Sequence, residues 1–228
     1  MRSGRIHIPE VKTESKIGSR WWRTKYMVEW IFCLLAIVAL SPIYLGIGIA
    51  IVLQDGGNAL YLSKRVGRNR RRFTLYKFRS MKPNSRRIVT PDLKIITVKN
   101  DPRVTLFGRY LRVGADELPQ LFNVLRGEMC LIGPRPGVAA EVPLMNARER
   151  LRFAVLPGIT GVAQVLGGRR RTNQENWEID ARYIENSSFC TDLLVVVCTI
   201  LYVFGYRTPI TRILRSFVIE TRSNDARR

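Results

Sequence analysis

One uncharged run dominates the pattern of apolar and polar positions along the chain. It extends from Trp30 to Leu53, which is long enough for a helix to cross a bilayer. The run is too long for the apolar region of a signal peptide, and no small-residue cleavage site follows it. The pattern therefore predicts that the chain stays attached to a membrane.

Two features distinguish this run from a plain transmembrane helix. Ser41 and Pro42 lie in its middle, where a proline removes a backbone hydrogen bond and should kink or break a helix. Both flanks are basic, over residues 20–25 and 64–72, whereas a spanning segment keeps its positive charge on the cytoplasmic side. The residues therefore favour a re-entrant helix–break–helix, which enters and leaves the same leaflet, over a plain transmembrane helix.

Shorter patterns predict the elements beyond the membrane segment. Aromatic residues that partly alternate predict a strand over Phe73–Phe78, and apolar spacing predicts helices over Glu141–Val155 and Trp177–Asn186. The uncharged stretch Leu193–Tyr206 is short for a span, so it is either a buried core helix or a helix on the bilayer surface. An apolar stripe with arginines over residues 210–218 favours the surface helix.

Two adjacent carboxylates, Asp116 and Glu117, begin a further short helix. Asp116 is a good N-cap residue, Pro119 suits a first turn, and Gly127 is placed to end the helix. Both acids would then lie at the positive end of the helix dipole, where a carboxylate or a phosphate is stabilised. An ordinary capping pair would explain this stretch by itself. The nearby stiff turn that presents Arg135 between two prolines favours phosphate chemistry instead.

Charge and the rare residue types narrow the possible partners and sites. The 38 Lys and Arg exceed the 18 Asp and Glu by 20, which implies an anionic partner: nucleic acid, an acidic membrane surface or a phosphorylated substrate. The chain has four dispersed cysteines and one histidine. Zinc sites and nucleophiles activated by histidine are therefore poor candidates, and the free thiols fit a reducing, cytosolic setting.

Several motifs in order give the chain a family resemblance. They are Arg65-Val-Gly-Arg68, Tyr76-Lys-Phe-Arg-Ser-Met81, Asp101-Pro-Arg-Val104, Asp116-Glu-Leu-Pro-Gln-Leu-Phe-Asn-Val-Leu125, Leu131-Ile-Gly-Pro-Arg-Pro136, Pro157-Gly-Ile-Thr-Gly161, Ala163-Gln-Val165 and Tyr183-Ile-Glu-Asn186. With these residues the chain resembles the bacterial sugar transferase family, the monotopic phosphoglycosyl transferases. No group of additional spans precedes Trp30, so the resemblance is to the small, catalytic-core form.

The resemblance implies an activity and its partners. Such an enzyme moves a sugar 1-phosphate from a UDP-sugar to a polyprenyl phosphate, such as undecaprenyl phosphate, at the cytoplasmic face of the bacterial inner membrane, and releases UMP. It implies Asp116 as the nucleophile that forms a covalent phosphosugar intermediate, and Glu117 and Asp116 as ligands of Mg²⁺. It also implies a first step in exopolysaccharide or glycoconjugate assembly, and it places Ser41 and Pro42 at the break of the re-entrant helix.

Cations that match family positions are the candidates for binding the substrate phosphates. They are Arg135, Arg112, Arg169, Lys77 and Arg79. A carboxylate attacks phosphorus only when the negative charge of the diphosphate is neutralised, which explains the need for arginines and a metal. A structural or lipid-facing role remains an alternative for Arg112 and Arg169, and a lipid contact remains one for Lys77 and Arg79.

The expected architecture is α+β and mostly helical. Residues 1–26 form a basic segment that we expect to be loosely ordered or to lie at a surface, and residues 27–54 form the re-entrant helix. Residues 55–192 form a compact cytosolic catalytic domain, and residues 193–228 form interfacial amphipathic helices with a basic tail. We expect contact with anionic lipids and no specific nucleic acid; the sequence leaves a homodimer open. The alternatives are a membrane-anchored nucleic-acid-binding protein and an inactive pathway scaffold.

Overall fold

A computed structural model of the chain describes residues 20–83, 85, 101–167, 171–204 and 214. Its helices and strands, in chain order, are α1 (Arg20–Asp55), β1 (Leu60–Val66), β2 (Arg72–Phe78), α2 (Leu106–Leu111), α3 (Gln120–Leu125), β3 (Cys130–Ile132), β4 (Gly158–Thr160), α4 (Val162–Val165), α5 (Asn173–Glu185) and α6 (Phe189–Val203). The described part is mostly helical with two small sheets, as the sequence predicts. The predicted stripe over residues 210–218 lies outside the described residues, apart from Leu214.

Helix α1 continues through Ser41 and Pro42 without a gap. Proline has no N–H to donate to the carbonyl four residues earlier, which here is that of Val38. The Ser41 hydroxyl donates to this carbonyl oxygen at 2.8 Å instead. This local bond explains how the helix continues across a residue that normally interrupts it. The chain shows no helix–break–helix here, and a re-entrant path through the membrane stays a prediction.

One face of α1 packs on the rest of the chain along its whole length. Near its start, the Tyr26 hydroxyl accepts a hydrogen bond from the Leu156 N–H at 3.1 Å. Near its end, the Gln54 side chain accepts one from the Phe107 N–H at 3.1 Å. The other face is apolar and exposed, for example at Leu53. Among the described helices, only α1 is long and apolar enough to cross a membrane, judged by length and composition.

The described end of the basic segment, from Arg20 onward, contributes to the core, which differs from the loosely ordered or surface position that we expected for it. Helix α1 begins at Arg20, and Trp22 and Lys25 are buried. The Lys25 ammonium forms ion pairs with Glu29 and with Asp192 of α6, the latter at 2.7 Å. A buried ammonium needs such partners. These pairs join the start of the membrane helix to the last described helix of the catalytic part.

The two sheets are small and of opposite kinds. Strands β1 and β2 form an antiparallel hairpin in which Leu60 pairs with Phe78, which confirms the strand predicted over Phe73–Phe78. Strands β3 and β4 are parallel, and Cys130 pairs with Gly158. The face of the hairpin that carries Phe73 packs together with α1 and α3 in one hydrophobic cluster. The hairpin is therefore held against the elements that carry the acidic pair.

The helix predicted over Glu141–Val155 is wrong. This region forms two short 3₁₀ helices, Ala139–Leu144 and Glu149–Phe153. Pro143 cannot donate a helical hydrogen bond, and Asn146 and Glu149 bond reciprocally between side chain and main chain at 2.7 and 3.0 Å. These local bonds start a new turn and prevent one continuous helix.

The two helices that follow are confirmed with different bounds. Helix α5 begins at Asn173, ahead of the predicted Trp177, because the side chains and N–H groups of Thr172 and Glu175 form a capping box. Helix α6 buries one face through Val195 and exposes apolar residues on the other, such as Phe189. One face is therefore core, and a position of the other, exposed apolar face on the bilayer surface stays a prediction.

Candidate active site

The acidic pair lies in a tight 3₁₀ turn, Ala115–Glu117, and not at the cap of a regular helix. The prediction of Asp116 as an N-cap is therefore wrong. Gly114 precedes the turn at φ +134°, a conformation that side chains rarely adopt. Helix α3 begins after Pro119, at Gln120, and has no side-chain cap. As a result, the Asp116 carboxylate is not used for capping this helix.

Glu117 brings together two cations from distant parts of the chain. Lys77, on β2, forms an ion pair with its Oε1 atom. Arg135, in the turn after β3, places its Nη2 atom 3.4 Å from the same oxygen. The Glu117 side chain is 22% exposed and that of Arg135 is 49% exposed. Two positive groups therefore meet one carboxylate at an opening to solvent.

The charges around Glu117 keep it ionised. Burial raises the pKa of this carboxyl, but Arg135 and Lys77 lower it more, and the net pKa is about 2. Burial lowers the pKa of the Lys77 ammonium, and the nearby Arg135 charge lowers it further. The Glu117 charge raises it, but the net pKa stays below the ordinary value. Glu117 is therefore an anion at neutral pH, and its main role in this geometry is to gather the two cations.

Asp116 has a different electrostatic environment from its neighbour. Burial raises its pKa, and the Glu117 charge adds to this effect, while Lys77, Arg112 and Arg135 lower it without reversing the shift. Adjacent carboxyls with pKa values shifted in opposite directions can take different chemical roles. Here Asp116 is the more basic of the two carboxyls, and the charges of three cations act on its pKa.

The predicted phosphate-binding residues fall into three groups. Lys77 and Arg135 contact Glu117, the neighbour of Asp116, and together with Arg112 they lower the pKa of Asp116. Arg79 donates instead to the carbonyl oxygen of Gly56, at the turn that follows α1. Arg169 lies outside the described residues. Ser41 and Pro42 lie on the exposed side of α1 and are not among the groups that contact the two acids.

The donor atoms fit a magnesium ion that is held mainly by substrate. Within the described residues, no group of three or more His, Cys, Asp or Glu side chains could hold a metal. Asp116 and Glu117 supply two carboxylates, and one oxygen of Glu117 is already paired with Lys77 and Arg135. Because Mg²⁺ is often bound by one or two carboxylates together with phosphate oxygens and water, this pair is sufficient for that kind of site.

A buried amide that sequence reasoning missed aligns Lys77 with the acids. Asn123, on α3, is fully buried. Its Oδ1 accepts from the Tyr76 N–H at 3.1 Å, and its Nδ2 donates to the Thr74 carbonyl at 2.8 Å. It therefore attaches the strand that carries Lys77 to the helix that follows the acidic pair. The available signal was an asparagine in an apolar helix, a residue type that is rarely buried without partners.

Comparison with known proteins gives consistent matches. The family model described as bacterial sugar transferase matches residues 20–206. The exopolysaccharide production protein ExoY of Sinorhizobium fredii is 34% identical over 189 residues, which cover 78% of this chain and 84% of that protein. The undecaprenyl-phosphate galactose phosphotransferase of Salmonella typhimurium is 35% identical over 197 residues, covering 81% of this chain and 41% of the relative.

A third relative carries a name that describes both of its substrates. The UDP-glucose:undecaprenyl-phosphate glucose-1-phosphate transferase of Xanthomonas campestris pv. campestris is 36% identical over 194 residues, covering 81% of this chain and 39% of the relative. The chain thus spans most of ExoY but only about two fifths of the length of the two named transferases.

Proposed function

This chain belongs to the bacterial sugar transferase family, and we propose that it transfers a sugar 1-phosphate from a UDP-sugar to undecaprenyl phosphate and releases UMP. The observation that carries the proposal is the position of Asp116, a half-buried carboxylate next to Glu117 and within the field of three cations. The relatives named as transferases of this type support the choice of donor and acceptor. The product would enter exopolysaccharide assembly.

The reaction proceeds in two displacements at the same phosphorus. An Asp116 carboxylate oxygen attacks the sugar-proximal phosphorus of the UDP-sugar, and the bond from this phosphorus to the bridging oxygen breaks, so that UMP leaves. An oxygen of the lipid phosphate then attacks the phosphosugar on Asp116, which restores the carboxylate. Burial raises the pKa of Asp116 above that of an ordinary carboxyl, and the ionised carboxylate is therefore a stronger nucleophile than an ordinary carboxylate.

The surrounding cations neutralise the diphosphate as negative charge moves onto the leaving phosphate. The Arg135 side chain is half exposed, so its guanidinium is accessible to phosphate oxygens, which it can bind in a bidentate manner. Lys77 and Arg112 add positive charge around Asp116. A magnesium ion held by Glu117 and Asp116 would supply further charge neutralisation at the phosphate. Glu117 keeps Lys77 and Arg135 close to the attacking carboxylate.

The contacts of α1 support a monotopic arrangement at the cytoplasmic face of the membrane. Tyr26 and Gln54 lie 28 residues apart, about 42 Å along a straight helix, and each bonds to the catalytic part. If α1 crossed the hydrocarbon core, which is about 30 Å thick, its two ends would lie on opposite sides of the membrane and could not both contact the same domain. Contacts at both ends favour a helix whose ends share one leaflet, and the basic residues 64–72 that follow can contact anionic lipids.

Mass spectrometry of the intact enzyme tests the chemistry. The purified protein is exposed briefly to a panel of UDP-sugars with magnesium and without lipid acceptor. We expect the wild-type peptide that contains Asp116 to gain the mass of one phosphosugar, and Asp116→Asn to gain none. If UMP forms only after undecaprenyl phosphate is added and no adduct is trapped, the lipid attacks directly and Asp116 is not the nucleophile. If no donor gives an adduct or UMP, the proposed activity is wrong.

Labelling with a membrane-impermeant maleimide tests the topology. Cys190 is the exposed cysteine among the four thiols, so Cys190→Ser gives a background of low reactivity. Arg20→Cys and Asn58→Cys then report on exposed positions at the two ends of α1. We expect both to react in inverted membrane vesicles and neither in intact spheroplasts. Reaction of one end from each side would show that α1 spans the bilayer.

A further inference from the structure

A buried ion pair lies directly behind the turn that carries Arg135. Arg152, in the 3₁₀ helix Glu149–Phe153, places its Nη2 atom 3.3 Å from Oδ2 of Asp180 on α5, and the two side chains are only 5% and 4% exposed. The same Nη2 atom donates a hydrogen bond to the main-chain carbonyl oxygen of Arg135. Arg152 therefore connects the buried ion pair to the turn that carries Arg135.

The turn itself is rigid and is held at a second point. Arg135 lies between Pro134 and Pro136, and each proline restricts its own φ angle and the conformation of the residue before it. The Gly158 N–H, at the start of β4, donates to the Pro134 carbonyl at 2.9 Å. Backbone pairing thus holds one side of the turn, while the other side is held by the side chain of Arg152.

The Arg135 side chain is held only loosely by Glu117. It is 49% exposed, and its contact with Glu117 is long, at 3.4 Å. The direction in which its guanidinium points therefore depends on the position of its main chain. Small misplacements of a group that binds a reacting phosphate reduce catalysis strongly.

We propose that Arg152 and Asp180 are positioning residues that orient Arg135 toward the diphosphate of the donor. Arg152 makes the contact with the turn, and Asp180 neutralises and aligns Arg152 in a site where an unpaired guanidinium would be unfavourable. This inference rests on the proposed function, because it assigns Arg135 to substrate phosphate. It extends the active site to a buried pair that does not touch substrate.

A second arginine in the same region provides a matched control. Arg148 lies four residues before Arg152 on the same segment, and it also pairs with α5, at Glu178 and at Glu185. It therefore joins the same two elements as Arg152 does. Its described partners are these two carboxylates, and Arg135 is not among them. Arg148→Lys thus disturbs an ion pair between the same elements without touching the turn.

Steady-state kinetics in a double-mutant cycle test the inference. Arg152→Lys keeps the charge but loses the forked donor geometry. We expect it to raise the KM for the UDP-sugar, and the dissociation constant of UDP measured by titration calorimetry, by roughly tenfold. Arg148→Lys should change both by less than about twofold. In an Arg135→Gln background, Arg152→Lys should have almost no further effect, because its target side chain is already gone.

The outcomes separate a positioning role from a purely structural one. If Arg152→Lys weakens donor binding equally in the wild-type and Arg135→Gln backgrounds, or if Arg148→Lys has the same effect, the inference is wrong. If Arg152→Lys does not fold, as shown by the loss of a cooperative thermal transition, the same cycle is run with Asp180→Asn, and additivity with Arg135→Gln overturns the inference. Failure of the proposed function itself appears separately, as a wild-type enzyme that forms neither adduct nor UMP.

Discussion

Removal of the Lys77 charge should shift the pH dependence of the first chemical step. Lys77 is paired with Glu117, and it is the strongest of the groups that lower the pKa of Asp116. In Lys77→Met, one of the cations that lower the pKa of Asp116 is missing, whereas burial and the Glu117 charge still raise it. The pKa of Asp116 should therefore rise further above its ordinary value, and the ionised nucleophile should be lost at a higher pH than in the wild type.

The size of the shift follows from the neighbouring carboxyl. The pKa of Glu117 falls from 4.5 to about 2 in spite of burial, which corresponds to about 3 kcal/mol at 1.36 kcal/mol per unit. Arg135 and Lys77 share this effect. Because burial opposes these two cations, the loss of one of them should raise the pKa of Glu117 by at least about one unit, and the pKa of Asp116 should rise in the same direction. The contribution of Glu117 to stability is present above pH 4.5 and is lost as the pH falls toward 2; Lys77→Met should reduce it.

The assay is the rate of adduct formation with UDP-sugar, measured by rapid quench between pH 4 and 8. The acid limb of the profile should move upward by about one pH unit. Lys64→Met is the control, since Lys64 lies on the paired strand and its ammonium bonds to Thr74 at 2.9 Å, so the same net charge is removed away from the acids. An acid limb that stays in place, or that moves equally in the control, would refute the electrostatic role given to Lys77.

Three further substitutions test the packing that supports the site. Asn123→Ala leaves the polar groups that it joins without partners, and should lower the unfolding free energy in urea by about 2–4 kcal/mol, whereas the exposed Asn186→Ala should cost about 0.5 kcal/mol or less. Lys25→Met leaves two buried carboxylates without their cation and should lower the unfolding free energy by about 3–5 kcal/mol in the same assay. A decrease below about 1 kcal/mol would contradict the stabilising role of these ion pairs. Gly108→Ala places a Cβ 2.2 Å from a main-chain oxygen and should lower the thermal midpoint by several degrees, while Gly46→Ala, with open space around it, should not lower it.

Local patterns determined the elements that depend on nearest neighbours. The uncharged run over residues 30–53 predicted the membrane helix, and alternation predicted the strand over Phe73–Phe78. Residue types in motif order also identified the candidate acids and cations. Such signals succeed because apolar periodicity and backbone propensity act within a few residues. The helix that was wrongly predicted over Glu141–Val155 shows where apolar periodicity fails as a signal. Its interruption depends on one proline and one reciprocal pair of bonds between side chain and main chain.

Only the tertiary structure decided which charged groups meet. Lys77 and Glu117 are 40 residues apart in sequence, and Arg135 is 18 residues beyond Glu117, so their contact depends on how β2 and the turn after β3 pack around the acidic pair. The burial of Lys25 and the position of Arg152 behind Arg135 have the same origin. From the sequence alone, a charged residue is expected at the solvent-exposed surface, because the burial of a charge without a partner is unfavourable. Its partner becomes known only when distant segments are packed together.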